Sequence, residues 1–150
     1  MGTAELNVKG REAEVSWNTN ARGEAVREVC WPAEGAKTAL VIHHGLGEHI
    51  GRSPSVVEAL GDLPLTIWGY DARGHGESDG KRGHADGLDQ LADDLHTNLA
   101  RVREQTGVES VILMGHSMGA ATVLWLTSRG ALPDWVSAVV VSAPPVVLDL

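Results

Sequence analysis

A single cysteine, Cys30, stands in a chain of 150 residues. One thiol makes neither an internal disulfide nor a cysteine zinc cluster, which fits a reducing compartment and sets a cytoplasmic location as the expectation. Cations are scarce as well: 12 Lys and Arg stand against 20 Asp and Glu, for a net charge of -8. A phosphate-binding surface needs the opposite sign, so nucleic acid is not an expected partner. No apolar run is long enough to span a bilayer. The start, Met1 to Glu5, has no basic stretch leading into an apolar one, so it does not read as a signal peptide. Gly2 is not set up for myristoylation either, because Leu6 stands where that pattern wants Ser or Thr. Internal repeats and low-complexity segments are missing. What remains is 43% hydrophobic and 21% charged, an ordinary globular composition with length for one domain and one core.

The order of elements follows from periodicity. Ala13 to Trp17 and Ala25 to Trp31 read as strands joined by the turn-rich Asn18 to Gly23, an antiparallel hairpin. Thr38 to His43 is a continuous apolar run, as in a strand buried on both faces of a parallel sheet. Ser53 is placed to cap a helix with Pro54 in its first turn, running to Leu60 and stopped by Gly61. Leu65 to Tyr70 is the next strand, and a glycine-rich loop follows to Ala85. Asp86 is placed to cap a helix whose apolar face is Leu88, Leu91, Ala92, Leu95, Leu99 and Val102, ended by Gly107. Val111 to Met114 is a short buried strand, Ala120 to Arg129 a helix terminated by Gly130, and Val136 to Val141 a further buried strand before Pro144-Pro145. Alternating strands and helices predict an α/β fold with mostly parallel neighbours and an antiparallel amino-terminal hairpin.

Gly115-His116-Ser117-Met118-Gly119 matches G-x-S-x-G directly between strand and helix, the context of a nucleophile elbow. The sharp reversal strains the serine backbone, and glycines on either side remove side chains that would collide. Ser117 is the candidate nucleophile. An acyl-transfer site also needs two N–H donors for the tetrahedral oxyanion. Met118, next after the nucleophile, and Leu46, in the loop after the third strand, are the candidates, with Gly45 and Gly47 allowing close approach. The loop His43-His44-Gly45-Leu46-Gly47-Glu48-His49 lacks H-E-x-x-H spacing and an acidic partner pattern. Its histidines and Glu48 are read as holding the loop's shape by hydrogen bonds, and His116 as support, since adjacent side chains at an elbow point apart. No metal and no cofactor is expected. Asp71 to Ser78 fails both phosphate-loop patterns: His75 stands where a Walker motif needs glycine, and Asp79 where G-x-G-x-x-G does. Support of the nearby site is the preferred reading for that loop.

Together and in this order, the segments His44 to His49, Asp71 to Ser78 and Gly115 to Gly119 resemble the monoacylglycerol lipase and lysophospholipase group of α/β-hydrolases. The similarity runs from about Thr38 to Pro144. It implies an α/β-hydrolase fold, Ser117 as nucleophile, Leu46 and Met118 as oxyanion donors, and small lipid-like carboxylic esters as substrates. The family orders its triad serine, acid, histidine. All seven histidines here precede Ser117, and Asp134 and Asp149 are the only acidic residues after it. Asp149 fits the less common acid position after strand six but lies several residues past Val141, where a solvated loop carboxylate is preferred. The chain therefore reads as the amino-terminal part of one α/β-hydrolase core, ending after about strand six, without the cap and later strands. Peripheral membrane contact through that cap, and a second chain supplying the missing part, are expected partner modes. The other class considered is a complete, non-catalytic binding module.

Overall fold

The computed structural model describes residues 3–146. Six strands form one sheet in the order β1-β2-β4-β3-β5-β6: β1 Glu14–Thr19, β2 Ala25–Trp31, β3 Thr38–His43, β4 Leu65–Tyr70, β5 Ser110–His116 and β6 Val136–Ser142. β1 and β2 pair antiparallel, as does β2 with β4, and the four strands from β4 to β6 run parallel. Three α-helices accompany them among the described residues: α1 Pro54–Leu60, α2 Leu88–Thr106 and α3 Met118–Ser128. This is a mostly parallel sheet with an antiparallel amino-terminal pair, as the α/β-hydrolase pattern predicts. The chain passes from β3 outward to β4, then back across to β5 on the other side. The carboxyl ends of β3 and β5 therefore flank the point where strand order reverses, the place where open α/β sheets bind ligands.

Alternation along β3 divides the core. Ala39 and Val41 join Trp68, Leu95, Leu99, Val102, Val111, Leu113 and Val123 beneath α2 and α3. Leu40 and Ile42 face the other way, with Val29, Trp31, Ile50, Val57 and Ile67 beside the short α1. Both faces of the central strands are buried, which is why they read as continuous apolar runs.

Several element ends differ from the sequence expectation. α2 starts after Gly87, whose φ of 132° only glycine adopts easily, and not on an Asp86 cap. The Asp86 carboxylate instead contacts Arg22 and His84, and its N–H donates to Gln90 Oε1. Ser53 does precede α1, but its φ and ψ are helical and its hydroxyl makes no capping bond. β1 is displaced toward Thr19, because pairing with β2 decides which residues are extended. α3 begins at Met118, the residue after Ser117. It ends in a Schellman arrangement, Gly130 N–H to Thr127 O and Ala131 N–H to Leu126 O, with Gly130 at φ 64°.

Candidate active site

β5 delivers Ser117 directly into α3. Its φ is 52° and ψ is -113°, and only Ser117 and Ala143 combine a side chain with positive φ among the described residues. Such backbone conformations cost about 1–3 kcal/mol and persist where the surroundings hold them. The flanking glycines are sterically required. A Cβ on Gly115 would run into the Gly119 carbonyl, and one on Gly119 into the His43 carbonyl, both backbone atoms that cannot step aside. The elbow is tied to β6: the Ser117 N–H donates to Ser142 O at 2.9 Å, and His116 Nδ1 lies 3.1 Å from Ser142 Oγ. The serine's own N–H is thus occupied. By contrast, no described residue accepts a hydrogen bond from the N–H of Met118 or of Leu46.

The loop after β3 comes up against this elbow. A Cβ built on Gly45 would lie 3.2 Å from Ser117 Cβ and 3.3 Å from His116 O. Hydrogen bonds inside the loop hold it, as expected for His43, His44 and Glu48. The Ala72 N–H donates to His44 Nε2 at 2.9 Å. That nitrogen must therefore be unprotonated, so His44 Nδ1 carries the proton and donates to Gly45 O at 2.8 Å. Burial lowers the His44 pKa, which favours this neutral form. His43 is deeper still. Burial first, then the adjacent His44, push its pKa down to about 3, and its Nδ1 pairs with His44 O at 2.9 Å. Glu48 Oε2 accepts the Gly45 N–H at 2.9 Å. The His49 ring makes no hydrogen bond to a described residue, so that part of the expectation does not hold. Leu46 projects outward, 64% exposed.

The loop Asp71 to Ser78 fastens the site to the rest of the sheet. Asp71 Oδ1 accepts the Ile50 N–H at 2.8 Å and Oδ2 the Glu77 N–H at 2.9 Å. Arg27 Nε stands 2.9 Å from Asp71 Oδ2, an ion pair without hydrogen-bond alignment. Ser78 Oγ donates to Asp71 O at 2.7 Å and accepts the Arg27 N–H at 2.9 Å. Arg73 forks onto Asp94, Nε to Oδ2 at 2.8 Å and a terminal nitrogen to Oδ1 at 3.0 Å, and also reaches Glu24. Burial still pushes the Asp94 carboxyl above the usual carboxylate range, against the pull of Arg73. The arginines of this region answer carboxylates of the same chain, which is a support role and not a phosphate cradle.

The Ser117 hydroxyl has no hydrogen-bond partner among the described residues, and none of the seven histidines reaches it. Asp134 precedes β6, at the end of the sheet opposite Ser117. Asp149 lies outside the described residues. No group of three or more His, Cys, Asp or Glu among the described residues is placed to hold a metal ion. Ser142 and Ala143 escaped the sequence reading. Nothing in Ser-Ala-Pro-Pro announces a contact with a motif 26 residues away.

A family model described as serine aminopeptidase, S33, matches residues 34–150. The chain belongs to this family. Within the S33 hydrolases it is an α/β-hydrolase of the monoglyceride lipase group. It is similar to a monoacylglycerol lipase of Mycolicibacterium smegmatis, 34% identical over 121 residues that cover 81% of this chain and 42% of the lipase. It is also similar to the human monoglyceride lipase, 31% identical, with 70% of this chain and 35% of that one covered. Among solved structures, a soluble variant of the Saccharomyces cerevisiae monoglyceride lipase matches with a TM-score of 0.77 at 22% identity, over 90% of this chain and 45% of that one. An esterase from Pyrococcus furiosus matches with a TM-score of 0.78 at 19% identity, over 99% of this chain and 54% of that one. These structural likenesses establish the fold. The chain spans less than half the length of the curated relatives it matches.

Proposed function

We propose that this S33-family hydrolase cleaves carboxylic esters through an acyl-enzyme on Ser117, with glycerol monoesters or lysophospholipid-like esters as substrates. The observation that carries this is the strained Ser117 at the head of α3, with two unpaired backbone N–H groups, Leu46 and Met118, on the elbow and the loop against it. Attack of the serine oxygen on the ester carbonyl gives a tetrahedral oxyanion, which those two N–H groups stabilise. The Ser117 N–H points into β6 and takes no part. Collapse expels the alcohol, and water then releases the acid. The general base is a histidine oriented by an acid, and no described residue fills either role at Ser117. A cap or a second chain shapes the acyl pocket and supplies any contact with a lipid surface. The names of the similar lipases support the substrate class. The lone Cys30, buried with its pKa raised to about 12 mainly by burial, suits a cytoplasmic setting.

The test uses a fluorophosphonate probe, which mimics the acyl-transfer transition state. Labelling of the full-length protein is expected at Ser117. Ser117→Ala is expected to abolish both labelling and hydrolysis of a monoacylglycerol. Labelling of a different serine in the variant would overturn the assignment.

A further inference from the structure

We infer that Glu48 is a positioning residue for the oxyanion site, setting the direction of the Leu46 N–H through the two peptide planes around Gly45. The inference rests on the proposed role of Ser117 and Leu46. Gly45 to Glu48 form a tight turn, closed by Glu48 N–H to Gly45 O at 3.1 Å. Gly47, third in the turn, has φ of 73°, the sign a type II turn requires there. Such a turn uses only its first carbonyl and last N–H, so the N–H of Leu46 is left for another partner.

The direction of that N–H is decided one atom earlier. The peptide unit Gly45–Leu46 is planar and trans, so its N–H points opposite to its C=O. Gly45 O is held from two sides, by the Glu48 N–H and by His44 Nδ1–H at 2.8 Å. The preceding peptide unit is held as well, because the Gly45 N–H donates to Glu48 Oε2 at 2.9 Å. Glycine is otherwise the residue with most backbone freedom. Here both of its torsions are pinned, and two of the three pins come from Glu48. The carboxylate is itself steadied by Arg52, whose guanidinium lies 3.7 Å from Oε1. It packs closely against the same glycine: a Cβ on Gly45 would sit 3.0 Å from Oε2. The polar contacts of the side chain are the Gly45 N–H and Arg52, so its effect on the oxyanion site passes through the Leu46 N–H.

An oxyanion donor works in the transition state, so misaligning it lowers kcat and leaves KM nearly unchanged. The experiment compares Glu48→Gln, which keeps an oxygen acceptor for Gly45 N–H, with Glu48→Met, which keeps length and packing but has no oxygen. Each is made in the full-length protein and assayed with a short-chain ester, with a trifluoromethyl ketone whose serine adduct carries an oxyanion, and by thermal melting. Glu48→Met is expected to lower kcat about tenfold or more, to weaken the ketone by a similar factor, and to shift KM less than about twofold. Glu48→Gln is expected to recover most of that loss. A folded Glu48→Met with unchanged kcat and ketone affinity would overturn the inference, as would equal losses in kcat and ketone affinity for both variants. Should the methionine variant not fold, Glu48→Asp, one methylene short of Gly45 N–H, replaces it with the same expected direction. Failure of the Ser117 assignment shows separately, as activity or labelling that survives Ser117→Ala.

Discussion

Two edges of the same sheet are built on opposite terms. At the carboxyl ends of β3, β4 and β5 the backbone is strained and the polar groups are buried and largely paired: His44, Asp71, Arg73 and Ser78 are each at most 6% exposed. Along β6 the backbone is regular and the apolar groups are open. Val139, Val140 and Val141 are 36%, 46% and 37% exposed, and no charge occurs from Val136 to Val146. Beside β6, under the seven-residue α1, lies a groove of about 420 Å³ lined by Leu40, Val56, Leu60, Ile112, Met114 and Val140. The site edge is locked by groups within the described residues. The β6 edge has one strand neighbour, β5, among them, and its valines suit a strand that is covered. Strain at Ser117 is sustained by local bonds, whereas the described residues leave β6 open on its far side.

The largest expected effect breaks the site edge outright. Gly119→Ala puts a methyl into the His43 carbonyl, and the elbow cannot close. It is expected to cost at least about 3 kcal/mol of stability in a denaturant melt and to remove fluorophosphonate labelling altogether. A well-folded, labelled variant would mean that the elbow is softer than its contacts require.

Next comes Leu46→Pro, which deletes one N–H from the turn. Turnover is expected to fall about a hundredfold or more, with a smaller change in melting temperature than Gly119→Ala produces. Unchanged kcat in the folded variant would remove Leu46 from the oxyanion site.

The β6 edge is tested on the 150-residue chain alone, which is expected to self-associate and to hydrolyse p-nitrophenyl butyrate poorly. An open β-branched edge recruits further strands, and a serine without its base is a weak nucleophile. Val140→Lys is expected to shift the size-exclusion profile toward monomer without altering secondary structure by circular dichroism. A compact, rapidly turning-over monomer from the unsubstituted chain would contradict both halves.

The smallest effect is on pH. The folded-state pKa of His43 is about 3 against 6.5 unfolded, so between those values the unfolded chain binds more protons. Stability therefore rises with pH through that window and is lost as the solution is acidified from about 6.5 downward, by up to about 1.4 kcal/mol per pH unit for this residue. His44, lowered in the same direction, adds to it. His43→Gln is expected to flatten the acid side of a melting-temperature profile. An equally steep profile would place the titration elsewhere.

The site motifs could be read from the chain because they are local. G-x-S-x-G between an apolar strand and a helix specifies the elbow within five residues, and Gly115 is needed for the Gly119 carbonyl inside it, although Gly119 answers to the sequence-distant His43 carbonyl. Continuous apolar runs marked β3 and β5 as buried strands, and the helical apolar face from Leu88 to Val102 marked α2. β6, read as buried in the same way, is open among the described residues, because β5 is its one strand neighbour there. Helix starts were less legible. Asp86 has the chemistry of a cap, yet ion pairs with Arg22 and His84 claim it, and Gly87 takes the turn.

Sequence alone thus determined the fold class, the element order and the serine at its strained turn, because each depends on residues only a few positions apart. Tertiary structure decided what joins those pieces. It placed Gly45 against Ser117, across 72 residues of chain, and spent the Ser117 N–H on Ser142. It settled the tautomer of His44 through Ala72, and turned Glu48 from a plausible loop residue into a brace on both sides of Gly45. These are pairings of backbone groups between distant segments. Backbone groups are alike in every residue, so no pattern of side chains records which carbonyl will meet which N–H.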